Sequence, residues 1–145
     1  MLVTQIIKQK GDQVFSVAPD ATLSEAARQL TDNRIGALLV RDGASLVGMV
    51  SERDIVRELA LAGPQALEHP VRDHMSRDVI CAHPHETVDE LLARMTDRRV
   101  RHLPVVSRQG QLCGLVSIGD LVKHKISEVE AEAQGLKNYI AGGGR

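Results

Sequence analysis

The sequence predicts an α/β fold: two β-α-β-β-α repeats packed about a pseudo-twofold axis, followed by a long C-terminal helix. The first observation behind this is that the chain is written twice. Val14, Pro19, Thr22, Glu25, Thr31, Asp32, Arg34 and Val40 are matched in order by Val79, Pro84, Thr87, Glu90, Thr96, Asp97, Arg99 and Val105. After a one-residue gap in a loop, Leu46, Gly48, Val50, Ser51, Asp54 and Val56 are matched by Leu112, Gly114, Val116, Ser117, Asp120 and Val122. Two copies with a period this long are paired modules rather than a solenoid. The second observation is that each copy alternates helical apolar spacing with short, near-continuous apolar runs, the mark of strands covered on both faces. The third is a heptad-spaced apolar stripe after the second copy.

The elements follow in order. Short leaders at residues 3–7 and 71–75 precede the copies and read as single helical turns. Residues 13–17 form a short strand entering Pro19. Thr22-Leu23-Ser24-Glu25 has the form of a capping box, in which Thr caps and Glu reaches back. Leu23, Ala26, Ala27 and Leu30 then line one face of a helix. Residues 35–40 and 46–50 are strands around the turn Arg41-Asp42-Gly43-Ala44-Ser45. A second helix starts after Ser51 and ends before Gly63-Pro64. Copy two repeats this. Thr87-Val88-Asp89-Glu90 is the box, and Val88, Leu91, Leu92 and Met95 are the stripe. Residues 101–106 and 111–116 are the strands. The division by sequence is residues 1–62 for repeat one with its leader, 63–70 for a linker, 71–124 for repeat two, and 125–145 for the C-terminal helix and a flexible tail. In that helix Val122, Ile126, Val129, Ala133, Leu136 and Ile140 step by four and three, which is an a/d seam. Gly135 inside it costs about 1 kcal/mol relative to Ala. The stripe exceeds what docking on one module needs and points to a homodimer.

Composition narrows the function. Of 145 residues 43% are apolar but only 1% aromatic, so the core is aliphatic and no platform exists for stacking bases. A net charge of −1 provides no general field for DNA or anionic lipid. No apolar run approaches a membrane span of roughly 20 residues. No signal-peptide pattern opens the chain, so the expected compartment is the cytoplasm. Cys81 and Cys113 lie in apolar runs and are expected as buried, reduced thiols.

The candidate site lies where the last strand of each copy meets a helix: Gly48-Met49-Val50-Ser51-Glu52-Arg53-Asp54 and Gly114-Leu115-Val116-Ser117-Ile118-Gly119-Asp120. Free backbone N–H groups and the helix dipole favour anions there. A first-turn carboxylate can accept two hydroxyl hydrogen bonds, as a ribose diol offers. Gly48 and Gly114 would let a ligand or the other copy come close to the backbone. Ser-x-x-Asp at a helix start is also a capping arrangement, and the two roles are compatible.

Taken with the leaders, Val17-x-Pro19, Ala82-x-Pro84 and His102-Leu103-Pro104-Val105-Val106, these endings resemble the cystathionine β-synthase (CBS) domain. The resemblance is to its tandem pair, the Bateman module, and covers about residues 3–122. It implies a stand-alone regulatory module that binds an adenine nucleotide (AMP, ADP, ATP or NAD(H), sometimes S-adenosylmethionine) in clefts between the copies. Asp54 and Asp120 would hold the ribose. Ser51, Ser117, Arg53, Arg101 and His102 would lie by ribose or phosphate. Ser16, Val17, Ile35, Cys81, Ala82, Leu103 and Pro104 would form the base pocket. The copies differ at these places: Arg101-His102 stand where copy one has Gly36-Ala37, and Arg53 stands where copy two has Gly119. The two sites are therefore expected to be inequivalent. An unknown effector protein would listen.

Other readings compete. No G-x-S-x-G, P-loop, H-E-x-x-H or G-x-G-x-x-G is present, so catalysis is not expected. A dimerisation or partner-docking module with empty clefts is the main alternative. Cys81, His83 and His85 alternate and have zinc-ligand chemistry, but Pro84 interrupts them and no fourth ligand is evident. Arg34 and Arg99 read as solvated charges at helix ends.

Overall fold

The computed structural model describes residues 2–11 and 14–142. Gln13, expected in the first strand, and the tail past Gly142 lie outside the described residues. The chain divides into two compact units. One is continuous, Gln13–Cys81; the other is split, Met1–Asp12 with Ala82–Arg145.

The continuous unit holds β1 (Ser16–Val17), α2 (Leu23–Asn33), β2 (Ala37–Asp42), β3 (Ser45–Ser51) and α3 (Glu52–Ala62). Its sheet has the order β1-β2-β3, with β1 parallel and β3 antiparallel to β2. Parallel entry and antiparallel exit follow from chain length: a helix separates β1 from β2, whereas a tight turn joins β2 to β3. Val17, Leu23, Ala26, Leu30, Leu38, Val40, Val50, Ile55 and Val71 form the buried core, so the apolar stripe read for α2 faces inward as its spacing requires. Residues 63–70 are not a bare linker. Gly63–Glu68 is a 3-10 helix that buries Ala66 and packs on α2 and α3.

The split unit holds α1 (Val3–Lys10), α4 (Val88–Arg98), β4 (His102–Val106), β5 (Leu112–Ser117) and α5 (Ile118–Gly142). β4 and β5 are antiparallel, and the counterpart of β1 shrinks to one parallel bridge, Ala82 to Val105. Val3, Ile6, Val88, Leu91, Met95, Leu103, Val105, Val116 and Leu121 are buried.

The leaders depart from the expected domain division. The first one, α1, packs on copy two: Val3 and Thr4 donate backbone N–H bonds to the carbonyls of Glu86 (2.9 Å) and Pro84 (3.0 Å). The second, a 3-10 turn at Val71–Asp73, packs on copy one: Val71 and Arg72 donate to Ala21 (2.7 Å) and Pro19 (2.9 Å). Both leaders thus dock through the same pair of bonds, each on the copy that does not follow it. The first is also longer than the single turn expected, because Ile6 adds a second buried anchor to Val3.

Other differences are local. β2 begins at Ala37 rather than Ile35, since Arg34 closes α2 with φ +54° and the chain must turn back before it can extend. Arg99 closes α4 in the same way at φ +55°. Thr22 and Thr87 cap α2 and α4 by accepting from Glu25 and Glu90 N–H, both at 3.1 Å. The return bond is not made there among the described residues; Glu90 Oε1 lies 3.1 Å from the Thr87 hydroxyl instead. Cys81 and Cys113 are half-buried thiols outside any disulfide, not buried ones. Burial pushes the Cys81 thiol above its ordinary pKa.

Candidate functional site

In the continuous unit β3 runs straight into α3. Asp54 sits at the third helical position and is buried. Its Oδ2 accepts the Ser51 N–H (2.9 Å) and the Ser51 hydroxyl (3.1 Å), while Ser51 Oγ accepts the Asp54 N–H (3.3 Å). This is the reciprocal capping box that the threonine caps lack. Arg57, one turn on, places Nη1 3.4 Å from Oδ1. Ala37 pairs with Ser51 across the sheet, and the Gly36 carbonyl accepts the Glu52 N–H (3.0 Å), so Gly36 and Ala37 flank this junction. Arg53 lies in the first turn of α3 and is exposed.

The split unit repeats the backbone. Asp120 Oδ2 accepts the Ser117 N–H (2.9 Å), and Ser117 Oγ accepts the Asp120 N–H (3.1 Å). His102 pairs with Ser117, and the Arg101 carbonyl accepts the Ile118 N–H (2.8 Å). Arg101, His102, Ser117 and Asp120 are therefore brought to one place, as the sequence pattern requires. Arg101 is exposed there and His102 half-buried.

Lys10, at the end of α1, is the residue that sequence reasoning missed. Its Nζ lies 2.6 Å from Asp120 Oδ2 and 2.8 Å from the Leu115 carbonyl. Burial pushes the Asp120 carboxyl up. The Lys10 bond, the Ser117 N–H and the ammonium charge outweigh it and hold the group below its ordinary value. The signal for Lys10 was faint: with the leaders superposed on Val3 and Val71, Lys10 falls on Asp78, opposite in charge.

The two glycines serve the leaders. A Cβ on Gly48 would lie 2.6 Å from Met75 Sδ and 2.8 Å from the Ser76 carbonyl oxygen. Ser76 bridges Met49 through two backbone bonds of 3.0 and 2.8 Å. A Cβ on Gly114 would lie 2.7 Å from Ile7 Cδ1. The close approach expected at these positions is thus made by a leader in each unit.

Of the base-pocket candidates, Ala82 and Pro104 are joined by an N–H to carbonyl bond of 2.8 Å, beside Leu103. Ala82 and Leu103 are 0% exposed, so only neighbouring backbone could face a ligand there. Ser16 and Val17 pair with Leu39 and Val40. Val17 is in the core, and Ser16, Ile35 and Cys81 are half-buried.

Cys81, His83 and His85 do not form a ligand cluster among the described residues. His83 Nδ1 lies 2.9 Å from the Val106 carbonyl, and both histidines are exposed. A different group, Glu58, His69 and His74, places one ligand-type atom from each within 4.8 Å of the others. His74 turns Nδ1 toward Glu58 (3.3 Å) and Nε2 toward His69 Nδ1 (3.0 Å). The two partners therefore lie off different nitrogens of one ring, a hydrogen-bonded chain rather than donors converging on a point.

With this geometry in place, the class is clear: two βαββα units, each ending its last strand in a Ser-x-x-Asp helix start. The CBS domain model matches residues 6–61 and 71–127, and the chain belongs to the CBS-domain family as a tandem pair. It is 32% identical over 150 residues to the CBS domain-containing protein CBSX3, mitochondrial, of Arabidopsis thaliana, covering 97% of this chain and 72% of that one. It matches the crystal structure of the CBS-domain protein ATU1752 from Agrobacterium tumefaciens at TM-score 0.82 and 37% identity, covering 86% and 98% of the two chains. The CBS pair of MJ0100, in complex with 5′-methylthioadenosine and S-adenosyl-L-methionine, matches at TM-score 0.78 and 26% identity, with coverage of 88% and 98%. PAE2072 of Pyrobaculum aerophilum, complexed with AMP, matches at 0.72 and 28%, with coverage of 83% and 89%. Among the described residues no helix is long and apolar enough to cross a membrane.

Proposed function

We propose that this protein is a regulatory module that binds an adenine nucleotide (AMP, ADP, ATP or NAD(H)) or a related adenosine ligand at the strand-to-helix junctions. Asp54 and Asp120 hold the ribose diol. The observation that carries the reading is the repeated capped carboxylate. Each aspartate is fixed by its serine at a helix N-terminus, where backbone N–H groups favour an anion. At Asp120 the contacts with Ser117 and Lys10 fall on Oδ2, which leaves Oδ1 to accept a hydroxyl. Arg101 and His102 flank this junction, whereas Gly36 and Ala37 flank the other. The Asp120 junction therefore takes the ligand richer in phosphate. Similar pairs with AMP or with S-adenosylmethionine bound support the ligand class.

The test is calorimetric titration of nucleotide-free protein with AMP, ATP, NADH and S-adenosylmethionine. Micromolar binding to wild type, weakened at least tenfold in Asp120→Ala (about 1.4 kcal/mol) and differently in Asp54→Ala, is the expected result. No binding to verified empty protein overturns the ligand reading. Unchanged affinity in Asp120→Ala overturns the ribose role.

A further inference from the structure

The last helix leaves its own unit. Near its start, Leu121 is fully buried, and α5 packs on α4, α1 and β5. Beyond Glu128 every residue through Ile140 is exposed. The apolar seam lies open along this whole length. Val122 is 42% exposed, Ile126 53%, Val129 52%, Leu136 61% and Ile140 71%, and Ala133 is exposed with them. In a heptad frame Val122, Val129 and Leu136 take d positions, and Ile126, Ala133 and Ile140 take a positions. An a/d stripe left in water over roughly 27 Å has no fold-internal reason to exist.

The charges beside the seam say what covers it. The g positions are Lys125, Glu132 and Tyr139, and the e positions are Lys123, Glu130 and Lys137. In a parallel pair, each g residue faces the e residue of the following heptad on the other helix. That sets Lys125 against Glu130 and Glu132 against Lys137, on both sides of the twofold. In the antiparallel register that keeps all six seam layers, Lys123 meets Lys137, Glu130 meets Glu130 and Glu132 meets Glu132. Every contact between two charges there is repulsive, and Lys125 meets the uncharged Tyr139. The seam is self-complementary in one orientation only, as an isologous contact must be. Lys125 also pairs with Asp89 on α4 at 3.0 Å, which holds its ammonium at the start of the seam.

We propose that α5 binds α5 of a second copy as a parallel two-stranded coiled coil. A seam of under three heptads is short, so the dimer forms with moderate, concentration-dependent affinity.

Sedimentation equilibrium of the full chain tests this, with three variants. Wild type is expected as a dimer at tens of micromolar. Leu136→Glu, on an exposed position, is expected to weaken dimerisation at least tenfold while matching wild type in circular dichroism and melting at protein concentrations low enough for both to be monomeric. Glu132→Lys should weaken it, and Glu132→Lys with Lys137→Glu should restore it. Leu136→Cys, with Cys81 and Cys113 replaced by serine, should oxidise to a covalent dimer. In the antiparallel register the two thiols would sit about 15 Å apart along the axis. Wild type that stays monomeric overturns the proposal. So does a Leu136→Glu protein that dimerises as well as wild type, or a dimer whose Leu136→Cys form does not cross-link.

Discussion

In the continuous unit Asp54 is closed over by its own helix, through Arg57 at i+3. In the split unit the matching carboxylate is reached by Lys10 from across 110 positions of sequence. The backbone beneath is the same in both: strand, capping serine, helix start, and a glycine against which a leader packs. The difference teaches that a duplicated fold carries its individuality in the segments that dock on it. Arg57 would stay near Asp54 in an isolated helix. Lys10 is near Asp120 only while α1 is docked. The charge at the second junction is thereby tied to a tertiary contact, and that at the first is not. Copy two also gains a forked pair, Arg94 with Glu86, where copy one has Gln29 and Ala21.

The comparison breaks most readily at the glycines. Gly48→Ala drives a methyl into the Ser76 carbonyl, part of a fixed backbone bridge. We expect a loss of about 2–3 kcal/mol, the upper part of the range for overpacking. Gly114→Ala meets the tip of Ile7, which can rotate away, and should cost about 1 kcal/mol. Urea unfolding of the two variants checks this, and equal costs would mean that the two leaders are held alike.

Next in size is Arg94→Gln, which leaves the Glu86 carboxylate with the His83 N–H at 2.9 Å among the described residues. Loss of a charge-assisted pair should cost about 1–2 kcal/mol. It should also change the response to acid. The Arg94 bond holds the Glu86 carboxyl below its ordinary value against the opposing effect of burial. Such a group stabilises fully above its unfolded pKa, and the contribution is lost as pH falls through the lowered folded value. Together with Asp120, it makes the split unit lose stability below about pH 4. Thermal melts between pH 6 and pH 3 should fall less steeply in Arg94→Gln; a parallel fall would remove the assignment.

A smaller effect is expected at Lys10. The pair is partly exposed, at 38% and 27% for the two side chains, so Lys10→Met should cost about 0.5–1 kcal/mol and less in high salt. Arg57→Met, on a side chain 58% exposed, should cost nearly nothing. Denaturation at low and high salt distinguishes them, and equal costs would erase the contrast between the junctions. The smallest effect is a gain. Arg34→Gly and Arg99→Gly relieve left-handed backbone at φ +54° and +55° and should each stabilise by about 0.5 kcal/mol.

Most of the local architecture was legible because it is locally dictated. Thr22 and Thr87 start helices, apolar spacing sets which faces are buried, and the Ser-x-x-Asp endings cap where the strands stop. Pairing across the sheet then carries Arg101 and His102 to Ser117, a consequence of the hairpin alone. What could not be read was exchange between distant segments. Nothing local in residues 3–7 says that they pack on copy two, so the expected boundary at residue 62 cuts across the compact units. Lys10 stayed hidden for the same reason. Residues 63–70 looked like a linker because Gly63 and Pro64 stop α3, yet Pro64 also suits the first turn of the 3-10 helix that follows. The α5 seam was legible as a pattern, and its exposure is what the structure adds.

The docking of α1 on copy two also orders events in time. A ribosome releases the chain from its N-terminus. The α1 residues emerge before the first repeat, yet among the described residues the groups they bond to outside α1 and its caps lie at Pro84 or later. The continuous unit, Gln13–Cys81, has all its parts once its own end emerges and closes only short loops. The split unit must wait for the residues from Ala82 onward, with α1 unsatisfied meanwhile. Topologically, the first repeat is an insertion within the second. Residues made before the whole first repeat find their partners only after it.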